Sequence, residues 1–434
     1  MAFESFDQAI QYMNSFMNLE RHTDKYSEKT YRLDRVRRML ELLGNPQNSY
    51  KTIHVAGSKG KGSTAAFIAN ALQALGYKTG LYMSPHVSDY RERFTLCGTF
   101  IDDSDLIRTA DELKEGIKSV EDPTTFELYT VFAFLLFKNI GCSWAVIETG
   151  MGGRLDATNV LLPRACVLTP IELEHTKILG DTIEKIATEK SKIIKPNTPV
   201  FVSLQKDEAM KVFKAEASSC NSNIYTLEKE LDFLKTRCSE SGQSVTLKYS
   251  DGYEAEMMLK MSGDAQAYNA ALALLLLRKL GLYKEGITEK ALEETELPGR
   301  LEKVEYKNRF FYIDGAHTAN SIAFLMNSWK ELTNGKKSLC IFGCVDGKND
   351  SQMLSEIVPN FDKLVVSRPG TFKKSNPSAL YNTAKNIAKE TEVVLKEEAK
   401  DAVDYALTNT EDKESILVCG SFYLAGDIKE VICH

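Results

Sequence analysis

The stretch His54–Phe67, HVAGSKGKGSTAAF, decides how the rest of the chain is read. A short β-branched run, Thr52–Val55, leads into it, and Ser63–Leu75 (STAAFIANALQAL) is expected to form a helix closed by Gly76. A glycine- and lysine-rich turn between a strand and a helix suits a phosphate: the backbone N–H groups of Gly57–Gly62 point at the oxyanion and the helix dipole adds to them. The spacing departs from the usual G-x-x-x-x-G-K-[ST] pattern. Only two residues separate Gly57 from Gly60, and Gly62 stands between Lys61 and Ser63. In the nucleotide reading Lys61 offers a point charge to the outer phosphates and Ser63 a hydroxyl to Mg2+. The alternative is a tight turn carrying surface lysines.

Working outward, Thr79–Met83 is the next strand, which completes a βαβ unit. Strands at Trp144–Ile147, Cys166–Leu168 and Val200–Ser203 alternate with helices such as Phe126–Phe137 and Ile183–Ile194. Such alternation predicts a mainly parallel sheet with both faces covered, an α/β fold. Helical spacing also marks FDQAIQYMNSF and LDRVRRMLELLG within residues 3–43. Val245–Tyr249 and Tyr253–Leu259 flank Asp251-Gly252, a hairpin signal, and Ala267–Leu280 is a strongly apolar helix. The pattern restarts near Leu297-Pro298-Gly299. Phe310–Ile313, Ser338–Phe342, Lys363–Ser367, Val393–Leu395 and Ile416–Val418 are strands; Asn320–Leu332, Pro377–Glu390 and Asp401–Asn409 are helices. The expectation is two α/β domains, residues 1–296 and a smaller one at 297–434, with ligands in the cleft at the carboxyl ends of the strands.

Composition narrows the class. A net charge of -6 argues against a general nucleic-acid binder, which needs a basic footprint. The nine cysteines are scattered and odd in number, which fits free thiols in a reducing compartment. Cys340 and Cys344 have no second pair at zinc-finger spacing. The N-terminus lacks the basic start and apolar run of a signal peptide, and no apolar run is long enough to span a bilayer. A soluble cytoplasmic protein is expected, with no membrane partner.

Polar clusters follow the predicted strands. Ser84-Pro85-His86 comes after the second, Glu148–Asn159 (ETGMGGRLDATN) after the next, and His175 after Cys166–Leu168. Ser63, Ser84, Glu148 and His175 are hard or borderline ligands suited to one or two Mg2+ ions. Three of the six histidines, His86, His175 and His317, fall in such clusters.

On these segments the chain resembles the folylpolyglutamate synthase/dihydrofolate synthase family, within the broader Mur ligase group. The resemblance runs from about Phe6 to Ile428. It is carried by GSKGKGS, SPH…YRERF, TTFELYT, ETGMGGRLDATN, LEH…LG…IATEKSKII, PGRLE, DGAHT and GSFYLAGD. It implies a P-loop ATPase domain and a Rossmann-like C-terminal domain. The implied reaction is amide formation, through an acyl phosphate, between L-glutamate and dihydropteroate or a folate. Carried over residue by residue, Gly57, Gly60, Lys61 and Gly62 hold phosphates, and Asn269, Arg300 and Asp314 contact ATP. Ser63, Ser84 and Glu148 serve one Mg2+; His175 and a carbamylated Lys190 serve a second. Phe126, Arg154, Asp156 and Ala157 match the pterin pocket. Asp314, His317 and Ser421 match the glutamate end. A monomer is implied.

Other readings stay open for single residues: Lys190 as a solvated helix face, Phe126 as core, Asn269 as a buried helix amide, Arg300 as a linker charge. The chain also departs from the family pattern. Glu174 stands where aspartate is usual and Thr318 where asparagine is usual; Ala265, Arg91 and the Lys348-Asn349-Asp350 run differ as well. The alternatives for function are a monofunctional folylpolyglutamate synthase, another Mur-type ligase, and a non-catalytic P-loop nucleotide-binding protein. The cell-wall branch is disfavoured by the lack of a UDP-binding domain before the P-loop. A GTPase is disfavoured because no N-K-x-D run is present.

Overall fold

Lys51–Ala56 lies at the centre of an eight-stranded sheet, buried from its second residue onward. The computed structural model describes residues 2–19, 32–239, 242–371 and 373–433. The strand order is Thr99–Phe100, Phe94–Leu96, Thr79–Tyr82, Trp144–Glu148, Lys51–Ala56, Ala165–Leu168, Val200–Val202, Ile224–Thr226. The last six are mutually parallel, and the first two add an antiparallel edge. Alternate side chains of the central strand serve opposite faces. Ile53 and Val55 pack with the P-loop helix Lys61–Ala74 and the helix Asp264–Lys279. Ala56 joins Cys166 and Leu168 under the helices Ile183–Ser191 and Asp207–Ser219. The rest of that face is closed by Thr125–Asn139, with Phe6–Asn14, Leu33–Leu42 and Asp103–Gly116 around it.

Local chemistry fixes these helices. Thr125–Asn139 starts at a capping box in which the Thr124 hydroxyl accepts from Glu127 N and the Glu127 carboxylate accepts from Thr124 N. The same carboxylate takes two 2.8 Å bonds from Arg35, which fastens Leu33–Leu42 to it. Asp264–Lys279 is buried on every side from Asn269 to Leu277, so it is an internal helix and not an amphipathic one.

A three-stranded antiparallel sheet, Glu254–Leu259, Gly242–Tyr249 and Leu231–Ser239, flanks this core. The second α/β unit has the order Glu302–Tyr306, Arg309–Ile313, Ser415–Cys419, Leu339–Phe342, Lys363–Val366, Glu392–Leu395. Only its first pair is antiparallel. The chain is thus a two-domain α/β protein with mostly parallel sheets.

The strands anticipated from sequence are present with ends shifted by one to three residues, the largest shift being the start at Gly242 of the strand expected from Val245. The helix expected to run to Glu390 stops at Ile387. Two kinds of element escape a sequence reading. Phe94–Leu96 and Thr99–Phe100 are too short to show a period. Leu231–Ser239 and Glu302–Tyr306 are edge strands with half-exposed side chains and no apolar run. The helices expected within residues 3–43 are Phe6–Asn14 and Leu33–Leu42; residues 20–31 between them lie outside the described residues. Among the described residues no helix is long and apolar enough to cross a membrane.

Candidate active site

Three adjacent parallel strands deliver the site. Lys51–Ala56 sits between Trp144–Glu148 and Ala165–Leu168, so the segments that leave all three emerge along one edge. The odd spacing of the P-loop follows from what surrounds it. Gly60 caps the helix Lys61–Ala74 with φ 80°, a left-handed conformation that glycine adopts freely. A Cβ there would lie 2.6 Å from Asn269 Oδ1. A Cβ on Gly57 would overlap the Thr169 hydroxyl and come within 2.9 Å of the Thr169 carbonyl. The loop is squeezed between the internal helix and the end of a strand.

One sequence expectation is corrected here. The N–H groups of Ser58 and Lys59 both donate to Pro170 O, at 2.9 and 3.2 Å, and are not aimed at an anion. Among the donors left for a phosphate are those of the first helical turn, from Lys61 to Ser63, which have no partner inside the helix.

Glu148 collects the neighbouring charges. Its Oε1 is 3.8 Å from Lys61 Nζ, and its Oε2 accepts from Ser84 N at 3.2 Å. Burial pushes the Glu148 carboxyl up, against the pull of Lys61. Gly62 faces Glu148 Oε2, and the Ser63 hydroxyl one residue on is buried with no hydrogen-bond partner among the described residues. An orphaned hydroxyl and a buried carboxylate from the same corner of the loop are hard oxygens of the kind that fit Mg2+. Among the described residues no three His, Cys, Asp or Glu side chains form a ready-made metal cage. Mg2+ does not need one, because it keeps water and phosphate oxygens as ligands.

Lys190 is not on a solvated face. It is buried, and its Nζ donates to Gly57 O at 2.7 Å and to Glu174 Oε1 at 3.0 Å. Burial lowers the Lys190 pKa, with Glu174 opposing. Burial alone would raise Glu174, but Lys190 and Lys61 hold it down at about 2. His175 follows directly, exposed, with φ 48°.

The C-terminal domain supplies the opposite wall. Asp314 is engaged at both oxygens, by Leu301 N at 2.9 Å and Ala316 N at 2.7 Å. The Arg300 guanidinium lies 4.6 Å from the Phe422 ring. His317 Nδ1 is 2.7 Å from Gly315 O, so the proton sits on Nδ1 and Nε2 keeps its lone pair. Burial and the cations Lys59 and Lys348 lower its pKa to about 3. The Ser421 hydroxyl, buried, accepts from Tyr423 N. A cleft of about 1170 Å³ separates the walls; Gly62, Ser84 and Glu148 line one side and Arg300, Phe422 and Gly426 the other.

Residues 55–277 match the model of the Mur ligase middle domain, and residues 299–422 match that of the Mur ligase glutamate ligase domain. The chain belongs to the Mur ligase family. It is 28% identical over 411 residues to the dihydrofolate synthase/folylpolyglutamate synthase of Bacillus subtilis (strain 168), covering 92% of this chain and 94% of that one. It also resembles the crystal structure of Thermotoga maritima folylpolyglutamate synthase, with a TM-score of 0.84, 30% identity, and 99% and 96% coverage. Against the Mycobacterium tuberculosis folylpolyglutamate synthase complexed with ADP, the TM-score is 0.88 at 27% identity, with 99% and 98% coverage. As a Mur ligase, the chain is an ATP-dependent enzyme that forms an amide bond.

In this Mur ligase the residues matched to a pterin pocket sit apart from the cleft lining. The Phe126 ring packs against Gly150, the second residue after Glu148. Arg154 pairs with Glu189 at 2.9 Å. Asp156 is turned inward: its Oδ2 accepts from Met151 N, and its Oδ1 accepts from Thr158 N and the Thr158 hydroxyl. Thr158 Oγ1 in turn lies 2.8 Å from His54 Nε2. Ala157 belongs to the core. Asn269 is both the buried helix amide and a P-loop neighbour, since its Oδ1 accepts from Thr64 Oγ1.

Sequence reading passes over Lys59 and Phe422, and marks Lys348 only as a departure. Yet Lys348 follows the strand Leu339–Phe342 as the other candidates follow theirs. We expect Gly60→Ala to weaken ADP binding by about tenfold or more, because it strains a left-handed turn and pushes on Asn269. Isothermal titration calorimetry checks this, and an unchanged Kd would refute the account of the loop.

Proposed function

We propose that this ligase adds L-glutamate to dihydropteroate and to folates. The support is the B. subtilis relative, named for both activities, and the shared two-domain architecture. The observation that carries the chemistry is Glu148 held between Lys61 and Ser84 at the mouth of the P-loop. A carboxylate is a poor electrophile, being anionic and without a leaving group. Transfer of the γ-phosphoryl group to a carboxylate oxygen releases ADP and supplies one. The amine of glutamate then attacks the acyl carbon, and phosphate departs from the tetrahedral intermediate. The N-terminal part, residues 1–296, would hold ATP and folate, and residues 297–434 the glutamate.

In this reading Gly57, Gly60 and Gly62 shape the phosphate cradle and Lys61 neutralises the γ-phosphoryl group as charge shifts. Asn269 braces the cradle from behind. Arg300 and Asp314 meet the nucleotide from the other domain. His317 and Ser421 face the glutamate end, where Lys59 and Lys348 add positive charge suited to a dicarboxylate. Phe126, Arg154, Asp156 and Ala157 form or brace the pterin side; the inward Asp156 acts through Met151 and not by its own oxygens. Mg2+ would be held by Ser63, Ser84 and Glu148, where it would offset phosphate charge. A second ion near His175 would need an anion at position 190. An unmodified ammonium about 4 Å from a divalent ion is repelled by roughly 8 kcal/mol at an effective dielectric of 20. A carbamate on Lys190 removes that repulsion, and burial favours the neutral amine that adds CO2. We read the enzyme as a cytoplasmic monomer with small-molecule partners alone.

The deciding experiment is ATP- and glutamate-dependent phosphate release with dihydropteroate or a reduced folate as acceptor. Turnover with both is expected; turnover with the folate alone would make the enzyme a monofunctional folylpolyglutamate synthase. Lys61→Ala should lower kcat on the order of a hundredfold or more, the cost of one missing oxyanion donor. A near-normal kcat would remove Lys61 from the site. Stripping bicarbonate from the wild type should lower the rate, and adding it back should restore it. Indifference to bicarbonate, with no carbamate carbon signal in the carbon NMR spectrum of the folded enzyme in isotopically labelled bicarbonate, would leave Lys190 as the amine partner of Glu174.

A further inference from the structure

The segment Ser84–Arg93 leaves the nucleotide-binding domain and returns to it, closed at its base by Met83 N donating to Arg93 O at 3.2 Å. Inside the loop, the Glu92 carboxylate accepts from Val87 N at 2.6 Å, Ser88 N at 3.1 Å, the Ser88 hydroxyl at 2.8 Å and Asp89 N at 3.1 Å. Arg91 clamps Asp89 at 2.6 Å. So many bonds to one carboxylate make the loop a rigid body. Its tip lies on the other domain. Val87 packs against the C-terminal core built around Ile313, Val418, Leu424 and Ile428. The Val87 carbonyl rests directly on the Cα of Gly426, and a Cβ at that position would overlap it. The Val87 side chain lies 3.3 Å from where a Cβ of Gly299 would stand, and Gly299 precedes Arg300. At the other end of the loop, Ser84 N is bonded to Glu148. One rigid loop thus spans the cleft, fixed to Glu148 on one side and seated beside Arg300 on the other.

We propose that Gly426 is a positioning residue of the ligation: its bare Cα is the seat for the Val87 carbonyl, and that seating sets the separation of Glu148 and Arg300 across the cleft. Gly426 lies within the helix Phe422–Cys433, where alanine is the better helix former. Its glycine therefore works against helix propensity. A side chain there displaces the loop on the order of 1 Å before van der Waals separation is restored. Displacements of that size cost about a hundredfold when reacting groups must be aligned.

The test compares wild type, Gly426→Ala and Glu92→Ala, the second of which leaves the helix untouched and unfastens the loop. Ligation is followed with ATP, L-glutamate and a reduced folate. Both variants should lose kcat on the order of a hundredfold while the KM for ATP changes by less than about threefold, the sign of alignment lost and not of nucleotide binding lost. Gly426→Ala should melt no lower than wild type. With ADP present its radius of gyration by X-ray scattering should exceed that of the wild type. Wild-type kcat in either variant overturns the proposal. A lowered melting midpoint in Gly426→Ala with an unchanged radius of gyration overturns it too, because the glycine is then needed only for the helix. The inference rests on the ligase reading, and failure of that reading is distinct: the wild type itself would release no phosphate in the same assay.

Discussion

Charge can be buried away from water only in opposite pairs, and that constraint organises this site. Lys61 and Glu148, Lys190 and Glu174, and Arg300 within the field of Asp314 are all removed from bulk solvent together. Alone, any one of them would carry a desolvation cost of several kcal/mol. Together they leave cations and carboxylates poised to exchange partners. A polyphosphate draws the lysines, and a hard metal draws the carboxylate. The pairs also bridge distant parts of the chain: Lys190 reaches back 133 residues to the P-loop carbonyl of Gly57. The loop is therefore held in place by the same buried charges that crowd around it.

The parallel sheet makes those pairs attainable. Because Lys51–Ala56 is the middle of three parallel neighbours, the P-loop, the Glu148 segment and the Thr169 segment arrive at one edge without any long excursion. The smaller domain repeats the arrangement, with Asp314, Lys348 and Ser421 each leaving a strand end at its own edge. Two such edges facing each other form a cleft, and the loop Ser84–Arg93 and the connecting segment tie its walls together.

Much of this was legible in the sequence. Apolar period and turn residues located the core strands, and glycine with lysine after Val55 marked the turn that opens the helix Lys61–Ala74. The strand-end rule then gathered Ser84, Glu148 and His175, and the family resemblance added Asp314. What could not be read depends on direction in space. Nothing in SKGKG says that Ser58 N and Lys59 N direct their bonds to Pro170. Nothing in RLDATN says that the Asp156 carboxylate folds back on its own loop, although aspartate two residues before a threonine often does so. Lys190 looks like a surface charge until the docking of Ile183–Ser191 turns it inward. Polar edge strands such as Glu302–Tyr306 are equally hidden, since half-exposed residues carry no apolar signature.

The double engagement of Asp314 has a mechanical consequence. By accepting from Leu301 N and Ala316 N at once, it welds the incoming chain to the first loop of the smaller domain. Past Leu301 the polypeptide is no longer a tether but part of the body it enters. Thr295 is bonded to the helix before it and Gly299 to Gly315 and Glu302, so torsional freedom between the two bodies is confined to residues 296–298, where Pro298 is already stiff in φ. So short a hinge permits rotation about a nearly fixed pivot and little translation. Arg300, riding at the edge of that pivot, sweeps a small arc while the far rim of the domain sweeps a large one. Small shifts at the pivot, such as the seating of Val87, therefore decide where Arg300 stands, whereas groups at the far rim answer to the larger swing.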